Sequence, residues 1–187
     1  METDQERWSR ELEKLRPVLV LLARQNVNPR LWKDVDPSGV VQETLLEALG
    51  NRGQFEGNGS IVLEGWVRKI LLHNLYDAIR KVHRSMRNVD RQVPIDAAIE
   101  ESTSRLRWQI AVTMLSPSEI AMKKEATLAL AAALELLEPA QRDAVELHHL
   151  QGRSLSESAT LLGRSESAVA ALLHRGLEKL KGLMKKD

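Results

Sequence analysis

Polar and basic side chains recur along one predicted helix in types that suit nucleic-acid binding. Four of them are spaced by four, three and four residues, which places them on one side of a helix: His73, Asp77, Arg80 and Arg84. Asn74 lies beside them, with Trp66 and Tyr76 nearby in the sequence. Amides and aromatic rings beside cations suit an exposed base that is stacked and hydrogen-bonded, as in single-strand recognition. Two plainer interpretations stay open, because charged faces are usually just solvated and Trp66 is more often a core residue.

The charge of the chain is unevenly distributed, although the net charge is only +1. Residues 68–91 contain seven basic side chains and two acidic ones, whereas residues 94–119 contain four acidic and two basic ones. Such asymmetry indicates partners better than the total charge does. It predicts a basic module followed by an acidic connector.

A second group of polar residues follows two similar breaks near the C-terminus. Gly152-Arg153-Ser154 and Gly163-Arg164-Ser165 each combine a glycine that can end a helix with a serine that can cap the next one. Glu157 completes a capping box with Ser154. Helix 155–162, a short turn and a longer helix follow the helix-turn-helix plan, although a plain helical hairpin fits the spacing about as well. As a helix-turn-helix, the segment would present eight residues to duplex DNA: Arg164, Ser165, Glu166, Ser167, Ala170, Ala171, His174 and Arg175.

The composition indicates an all-α protein. The 187 residues include one Phe, one Tyr and no Cys, with abundant Leu, Ala, Glu, Lys and Arg, which favours helices over sheets. This length suits two small helical domains. Without Cys there is no disulfide framework and no thiolate metal site, and apolar runs such as Val18 to Ala23 are too short to span a bilayer. We therefore expect a cytoplasmic protein with no membrane contact, no metal and no cofactor.

No sequence motif indicates catalysis. The chain has no P-loop and no Gly-x-Ser-x-Gly turn. His148 and His149 are predicted to point to different faces of one helix, which is poor geometry for shared metal ligation. We expect a binding protein and assign no catalytic residues.

Periodicity and end signals divide the N-terminal part into three helices. The first is predicted over roughly 7–25. The second begins with Asp36 as its cap and Pro37 in its first turn. The third follows a glycine-rich loop, with Ser60 as its cap, and runs to about Arg87. The outward face of the second helix mixes acidic and apolar groups as a helix-docking surface does, although a solvated face is the commoner outcome: Gln42, Glu43, Leu46 and Glu47.

Two further helices are predicted ahead of the C-terminal pair. Ser116-Pro117-Ser118-Glu119 is a capping box that predicts a helix running to about Leu137. Glu138-Pro139 restarts the chain into another helix, which Gly152 ends in the left-handed conformation.

Three stretches resemble the sigma-70 family of bacterial sigma factors. Residues 36–48, DPSGVVQETLLEA, look like the region 2 signature that binds the clamp of RNA polymerase. Residues 66–80, WVRKILLHNLYDAIR, are similar to the stretch that opens the −10 element, and the tail from Leu134 through Leu180 resembles region 4. Because the matches follow the family's order, the chain is identified as a member of the extracytoplasmic function subfamily, which lacks region 1.1 and a structured region 3.

The resemblance implies two domains and three binding surfaces. Region 2, a helical bundle, would span residues 5–90, a flexible linker residues 91–115, and region 4, with the helix-turn-helix, residues 116–187. Core polymerase would contact Asp36, Val41, Gln42, Glu43 and Leu46. The −10 strand would be held by Trp66, Arg68, Lys69, Asn74, Asp77, Arg80, Lys81 and Arg84. The −35 duplex would face the eight C-terminal residues named above.

The implied function is promoter-specific transcription initiation as a subunit of RNA polymerase. Members of the family are often held inactive by an anti-sigma protein, which is a further expected partner. Family members often carry basic or polar residues where this chain has Ala170 and Ala171, and a face with few hydrogen-bonding groups reads little sequence directly. Two other classes stay open: a helix-turn-helix regulator that binds an operator as a dimer without polymerase, and a protein-interaction adaptor built on sigma-like domains.

Overall fold

The chain forms two helical units. The computed structural model describes residues 3–57, 59–86, 102 and 124–185, and every regular element within them is a helix. The units comprise Met1–Lys124 and Glu125–Asp187. The expected all-α fold of two helical parts is confirmed. The expected domain limits stay predictions because residues 90, 91, 115 and 116 lie outside the described residues, as does the helix start expected at Ser116–Glu119.

The N-terminal unit contains five α-helices among its described residues. These are α1 (Asp4–Glu13), α2 (Arg16–Asn26), α3 (Trp32–Val35), α4 (Pro37–Gly50) and α5 (Ser60–Met86). Short 3-10 turns at Pro29–Leu31 and Arg52–Gln54 precede α3 and α5. The core lies where α4 packs against α5 and α2. Each large apolar side chain buried there stabilises the fold by about 1.5–3 kcal/mol; those with no exposed surface include Leu19, Leu31, Val41, Leu71, Leu75 and Ile79.

The first predicted helix is two helices. Helix α1 ends at Glu13 and α2 starts at Arg16, with Pro17 in its first turn. Proline has no N–H to donate to the preceding turn and its ring crowds that turn, so a continuous helix is costly there. Because Leu12, Leu15 and Leu19 are all buried across the break, their spacing mimicked a single helix.

The expected cap at Asp36 is wrong, and the side chain of Ser60, the other expected cap, lies outside the described residues. Asp36 adopts the left-handed conformation with φ 44° and makes no side-chain capping hydrogen bond, because a capping side chain reaches the helix N–H groups from an extended backbone. Its carboxylate lies instead over Gly39, where an added Cβ would come within 2.5 Å of Asp36 Oδ2. Ser60 is the first residue of α5, and the carbonyl of Gly59 before it accepts the N–H of Leu63 at 3.2 Å. The position of Pro37 in the first turn of α4 is confirmed.

The C-terminal unit contains α6 (Lys124–Glu135), α7 (Pro139–Val145), α8 (Leu155–Leu162) and α9 (Glu166–Met184). A π-helical turn, Glu146–Leu150, extends α7, where a regular helix was expected. Its wider winding is shown by the N–H of Gln151, which donates to the carbonyl of Glu146 at 2.9 Å. Gly152 then takes the expected left-handed conformation with φ 68°. The core of the unit is built from Leu134, Leu137, Ala144, Val145, Leu147, Val169, Leu172, Leu173 and Leu180.

Gly176 allows α7 and α9 to approach closely. A Cβ at this position would lie 2.9 Å from Val145 Cγ2 and 3.4 Å from both the Cβ and the carbonyl oxygen of Gln141. Gly182, on the same helix, has no atom within 4 Å of its added Cβ. The two glycines therefore differ in packing while sharing the same helical context.

We expect Gly176→Ala to lower the free energy of unfolding of the C-terminal unit by about 1–3 kcal/mol, because the added methyl group overpacks the interface. Gly182→Ala is the matched control and should raise that free energy by about 0.5–1 kcal/mol through its helix propensity. Hydrogen exchange of the α9 amides measures both changes. Shifts of the same sign would contradict the close approach.

Candidate nucleic-acid interface

The polar face of α5 is exposed as its spacing predicts. His73, Asp77, Arg80 and Arg84 are all exposed, whereas the opposite side of the helix is buried. The guanidinium carbon of Arg80 lies 5.6 Å from the centroid of the Tyr76 ring, within the range of a cation–π contact. The remaining basic residues assigned to this face are exposed or half-buried: Arg68, Lys69 and Lys81. This surface can offer cations to phosphates along one helix.

Asn74 is half-buried and is tied to α4. Its Nδ2 donates to Thr44 Oγ1 at 3.2 Å and to Glu47 Oε2 at 3.0 Å. Thr44 is fully buried and donates its hydroxyl to the carbonyl of Val40 at 2.8 Å. The sequence did not predict these partners of Asn74, because Thr44 is 30 residues away and only the packing of α4 on α5 brings it near.

Trp66 lies in an aromatic cluster. Its ring centroid is 5.5 Å from that of Phe55 and 6.3 Å from that of Trp8, and Trp8 and Phe55 are 5.4 Å apart. The ring is half-buried and packs against the apolar core. Of the two interpretations of Trp66, core packing therefore describes its contacts within the described residues.

A cavity of about 290 Å³ lies beside this cluster. The indole N–H of Trp8 is buried there without an acceptor among the described residues. No spacing in the sequence predicts the cavity, since its walls come from α1, the 3-10 turn and the start of α5. Its lining includes Arg7, Trp8, Glu11, Arg52, Phe55 and Leu63.

The outward face of α4 combines an exposed apolar side chain with polar neighbours. Leu46 is 61% exposed, and Gln42, Glu43 and Glu47 are exposed beside it. Asp36 is exposed before the first turn. Val41 is a correction: it has no exposed surface and lies in the core, because position 41 falls on the side of α4 that packs inward.

The helix-turn-helix is built by local caps. Ser154 Oγ accepts the N–H of Glu157 at 3.2 Å, and Glu157 Oε2 accepts the N–H of Ser154 at 2.8 Å, so the expected capping box starts α8. Gly163 ends α8 in the left-handed conformation with φ 61°, which costs glycine little. Ser165 Oγ then accepts the N–H of Ala168 at 3.2 Å and starts α9. The capping box, the left-handed glycine and the serine cap are all local in sequence, and all three are confirmed.

All eight residues expected to face duplex DNA are exposed, two of them just before α9 and six within it. The charged and polar members of this face are Arg164, Glu166, His174 and Arg175 together with Ser165 and Ser167, whose hydroxyls lie 3.1 Å apart. Ala170 and Ala171 form the middle of this face and are also exposed. The helix therefore offers side-chain hydrogen-bonding groups at its start and again one turn beyond the alanines.

The histidine pair lies in the π turn. His148 Nδ1 lies 2.8 Å from the carbonyl oxygen of Arg153, and because a carbonyl only accepts, this nitrogen carries the hydrogen. The rings of His148 and His149 contact edge to face with centroids 4.9 Å apart, and His148 is half-buried whereas His149 is exposed.

Searches for other kinds of site cover the same described residues. Within them, no group of three or more His, Asp or Glu side chains is placed to hold a metal ion. No helix in the described ranges is both long and apolar enough to cross a membrane.

Helices α8 and α9 with their three-residue turn define the C-terminal unit as a helix-turn-helix protein module. Residues 127–180 match the family model described as sigma-70, region 4. This match lies within the C-terminal unit and confirms the resemblance of the tail of the chain to region 4 of sigma factors.

One solved structure aligns along most of the chain. It is the sigma factor RpoE in complex with the anti-sigma factor NepR from Bartonella quintana, with 22% identity, coverage of 95% of this chain and 96% of that one, and a TM-score of 0.37. The search of curated proteins found no match.

The capping box predicts an acid-dependent stability of the C-terminal unit. The backbone N–H of Ser154, and then its hydroxyl, hold the pKa of Glu157 below its ordinary value of 4.5. A carboxyl group with a lowered pKa in the folded state stabilises the fold above its unfolded pKa, and this contribution is lost as the pH falls through the folded pKa. Glu157→Gln should therefore flatten the pH dependence of unfolding below about pH 4.5.

Hydrogen exchange in α8 as a function of pH measures this effect. The control is Glu178→Gln, an exposed glutamate of α9. If wild type and Glu157→Gln lose stability equally as the pH falls, the capping box does not contribute to the pH dependence of unfolding.

Proposed function

We propose that this chain is an extracytoplasmic function sigma factor that binds core RNA polymerase and directs promoter-specific initiation. The observation that carries the proposal is the combination of a region 4 domain with a separate helical unit whose longest helix exposes a polar, basic face. The N-terminal unit would dock on polymerase and open the −10 element, and the C-terminal unit would bind the −35 duplex. Such a protein acts in the cytoplasm by binding alone and needs no cofactor.

Polymerase docking is assigned to the outward face of α4. Leu46 is more exposed than any other described large apolar side chain of this helix, and an exposed leucine flanked by polar groups suits the centre of a small helix interface. Gln42 and Glu43 lie on the same surface and can pair with basic and polar groups of a partner. Asp36 would contribute at the start of the helix, whereas Val41 supports the surface from the core.

The −10 strand is assigned to the exposed face of α5. Arg68, Lys69, Lys81 and Arg84 would hold phosphates, which set affinity and its salt dependence. Asn74, Asp77 and Arg80 would contact the bases, because amide, carboxylate and guanidinium groups can form hydrogen bonds with base edges. Trp66 would support this surface through its contacts with Trp8 and Phe55.

The −35 duplex is assigned to α9. Arg164 and Arg175 would bind phosphates and the start of the helix would enter the major groove. Ala170 and Ala171 cannot donate or accept hydrogen bonds through their side chains, so we expect backbone contacts and thymine methyl contacts to outweigh polar base readout in the middle of this helix. An anti-sigma partner stays a prediction from the sequence.

Removal of the polar docking groups tests the polymerase assignment. We expect Gln42→Ala/Glu43→Ala to abolish co-purification of the full chain with core RNA polymerase and to abolish run-off transcription from host DNA. The matched control is Gln54→Ala/Glu56→Ala, which removes the same two residue types from exposed positions between α4 and α5.

The other function classes give different results in the same experiment. A chain that ignores polymerase but shifts duplex DNA is a helix-turn-helix regulator. A chain that binds neither polymerase nor DNA is an adaptor, and either result would overturn the sigma-factor proposal.

The phosphate contacts of α5 predict a salt dependence. Each contact to single-stranded DNA contributes about −0.7 to the slope of log affinity against log salt, so Lys81→Ala/Arg84→Ala should make the slope shallower by about 1.4. The measurement is binding of the holoenzyme to a single-stranded −10 oligonucleotide across a salt series. The control Arg30→Ala/Lys33→Ala removes an exposed Arg and an exposed Lys elsewhere in the same unit. An equal change of the salt slope in this control would show that the slope depends on net charge and not on phosphate contacts of α5.

A further inference from the structure

Asn74 stands between the two surfaces assigned to the N-terminal unit. Its side chain belongs to α5, yet its amide nitrogen donates to two oxygens of α4, Thr44 Oγ1 at 3.2 Å and Glu47 Oε2 at 3.0 Å. Two hydrogens are all that a side-chain amide nitrogen carries. Both are therefore used within the protein.

The chemistry of the two partners fixes which end of the amide faces α4. The hydroxyl of Thr44 donates to the carbonyl of Val40 at 2.8 Å, so its oxygen is left to accept, and the carboxylate of Glu47 can only accept. A flipped amide would place Oδ1 against two acceptors with no hydrogen between them. The orientation therefore follows from donors and acceptors, not from the shapes of the nearly identical N and O ends.

The consequence is an outward carbonyl. Among the described residues no donor reaches Asn74 Oδ1, so this oxygen is the end left for a ligand. Asp77 follows one turn later on the exposed face, and its carboxylate also accepts. At this point the otherwise basic face offers hydrogen-bond acceptors.

We infer that Thr44 and Glu47 are positioning residues that make Asn74 a hydrogen-bond acceptor toward the −10 strand and thereby set a base preference at one position. This inference rests on the proposed function, which assigns Asn74 to that strand. Adenine, cytosine and guanine each carry an amino group that can donate to such a surface. Thymine has a single N–H between two carbonyl oxygens, so it is the base that two neighbouring acceptors disfavour.

The test uses holoenzyme assembled from the full chain and host core polymerase. It selects bound single-stranded oligonucleotides from a library randomised over the −10 element. We expect thymine to be depleted about three- to tenfold at one position, the effect of one good hydrogen bond. Asn74→Ala should remove the depletion at that position and leave the others unchanged.

The decisive variant is Glu47→Gln/Thr44→Val, which replaces the carboxylate with an amide that can also donate and removes the hydroxyl, without changing Asn74. The amide can then turn over, so thymine should recover at the same position that responds to Asn74→Ala. The control is Asp34→Asn, which makes a carboxylate-to-amide change at an exposed position of α3, and it should leave the depletion intact.

A purely structural role would not move the base preference. If the double variant lowers affinity evenly for every oligonucleotide, or leaves thymine depleted as in wild type, the inference is overturned. Core-polymerase affinity is measured in parallel because Glu47 lies on the outward face of α4, and the base preferences are compared at equal holoenzyme concentration.

A measurement on the free chain separates this inference from the proposed function. In NMR spectra the side-chain amide protons of Asn74 should exchange at least about tenfold more slowly than those of Asn51, whose Nδ2 makes no hydrogen bond among the described residues. The double variant should lose this protection. Unprotected protons in wild type would overturn the inferred orientation of the Asn74 amide, even if holoenzyme forms. Protected protons in a chain that forms no holoenzyme would leave the orientation standing but would overturn both the sigma-factor proposal and the role of Asn74 in reading DNA.

Discussion

The N-terminal unit depends on the packing of α5 against α4. Leu71, Leu75 and Ile79 have no exposed surface, and burying them commits one side of α5 to the core. The opposite side must then remain in solvent, which is where the charged residues can stay hydrated. A single hydrophobic contact thus decides which residues of a 27-residue helix are available to a ligand.

The same contact gives α4 its two sides. Val41 and Thr44 point inward and have no exposed surface, while Leu46 is 61% exposed on the other side. Because both helices are anchored to one core, a group on α4 can orient a group on α5, as the hydrogen bonds of Asn74 show. The polar link lies at the edge of the apolar contact, where the hydrogen bond to Thr44 is partly shielded from water.

Local signals in the sequence predicted the C-terminal unit well. The capping box of Ser154 and Glu157 and the turn at Gly163 involve residues only three to five positions apart, so a short stretch of sequence contains all the groups that form them.

The predictions that failed depend on backbone conformation or on residues that are distant in the sequence. The left-handed conformation of Asp36 removed a cap, and Pro17 split a helix whose apolar spacing continued. The contacts of Asn74 and Trp66 join residues far apart in the chain, and no periodicity encodes them. Sequence thus predicted which residues of the candidate sites are exposed, apart from the buried Val41 and the half-buried Trp66, Arg68 and Asn74, but not which internal contacts orient them.

The aromatic cluster of Trp8, Phe55 and Trp66 also makes the protein optically asymmetric. Residues 125–187 contain no Trp, Tyr or Phe, so near-ultraviolet absorption and intrinsic fluorescence arise entirely from the rest of the chain. Two of the four tryptophans lie in this cluster, and a third, Trp32, has the guanidinium carbon of Arg24 3.8 Å from its ring centroid. Emission from the native chain therefore includes a contribution from the surroundings of α1, α3 and α5, whereas the helix-turn-helix has no aromatic chromophore of its own. A chromophore introduced into α9 would give each unit its own signal, so that the order in which the two engage a common partner could be resolved in time.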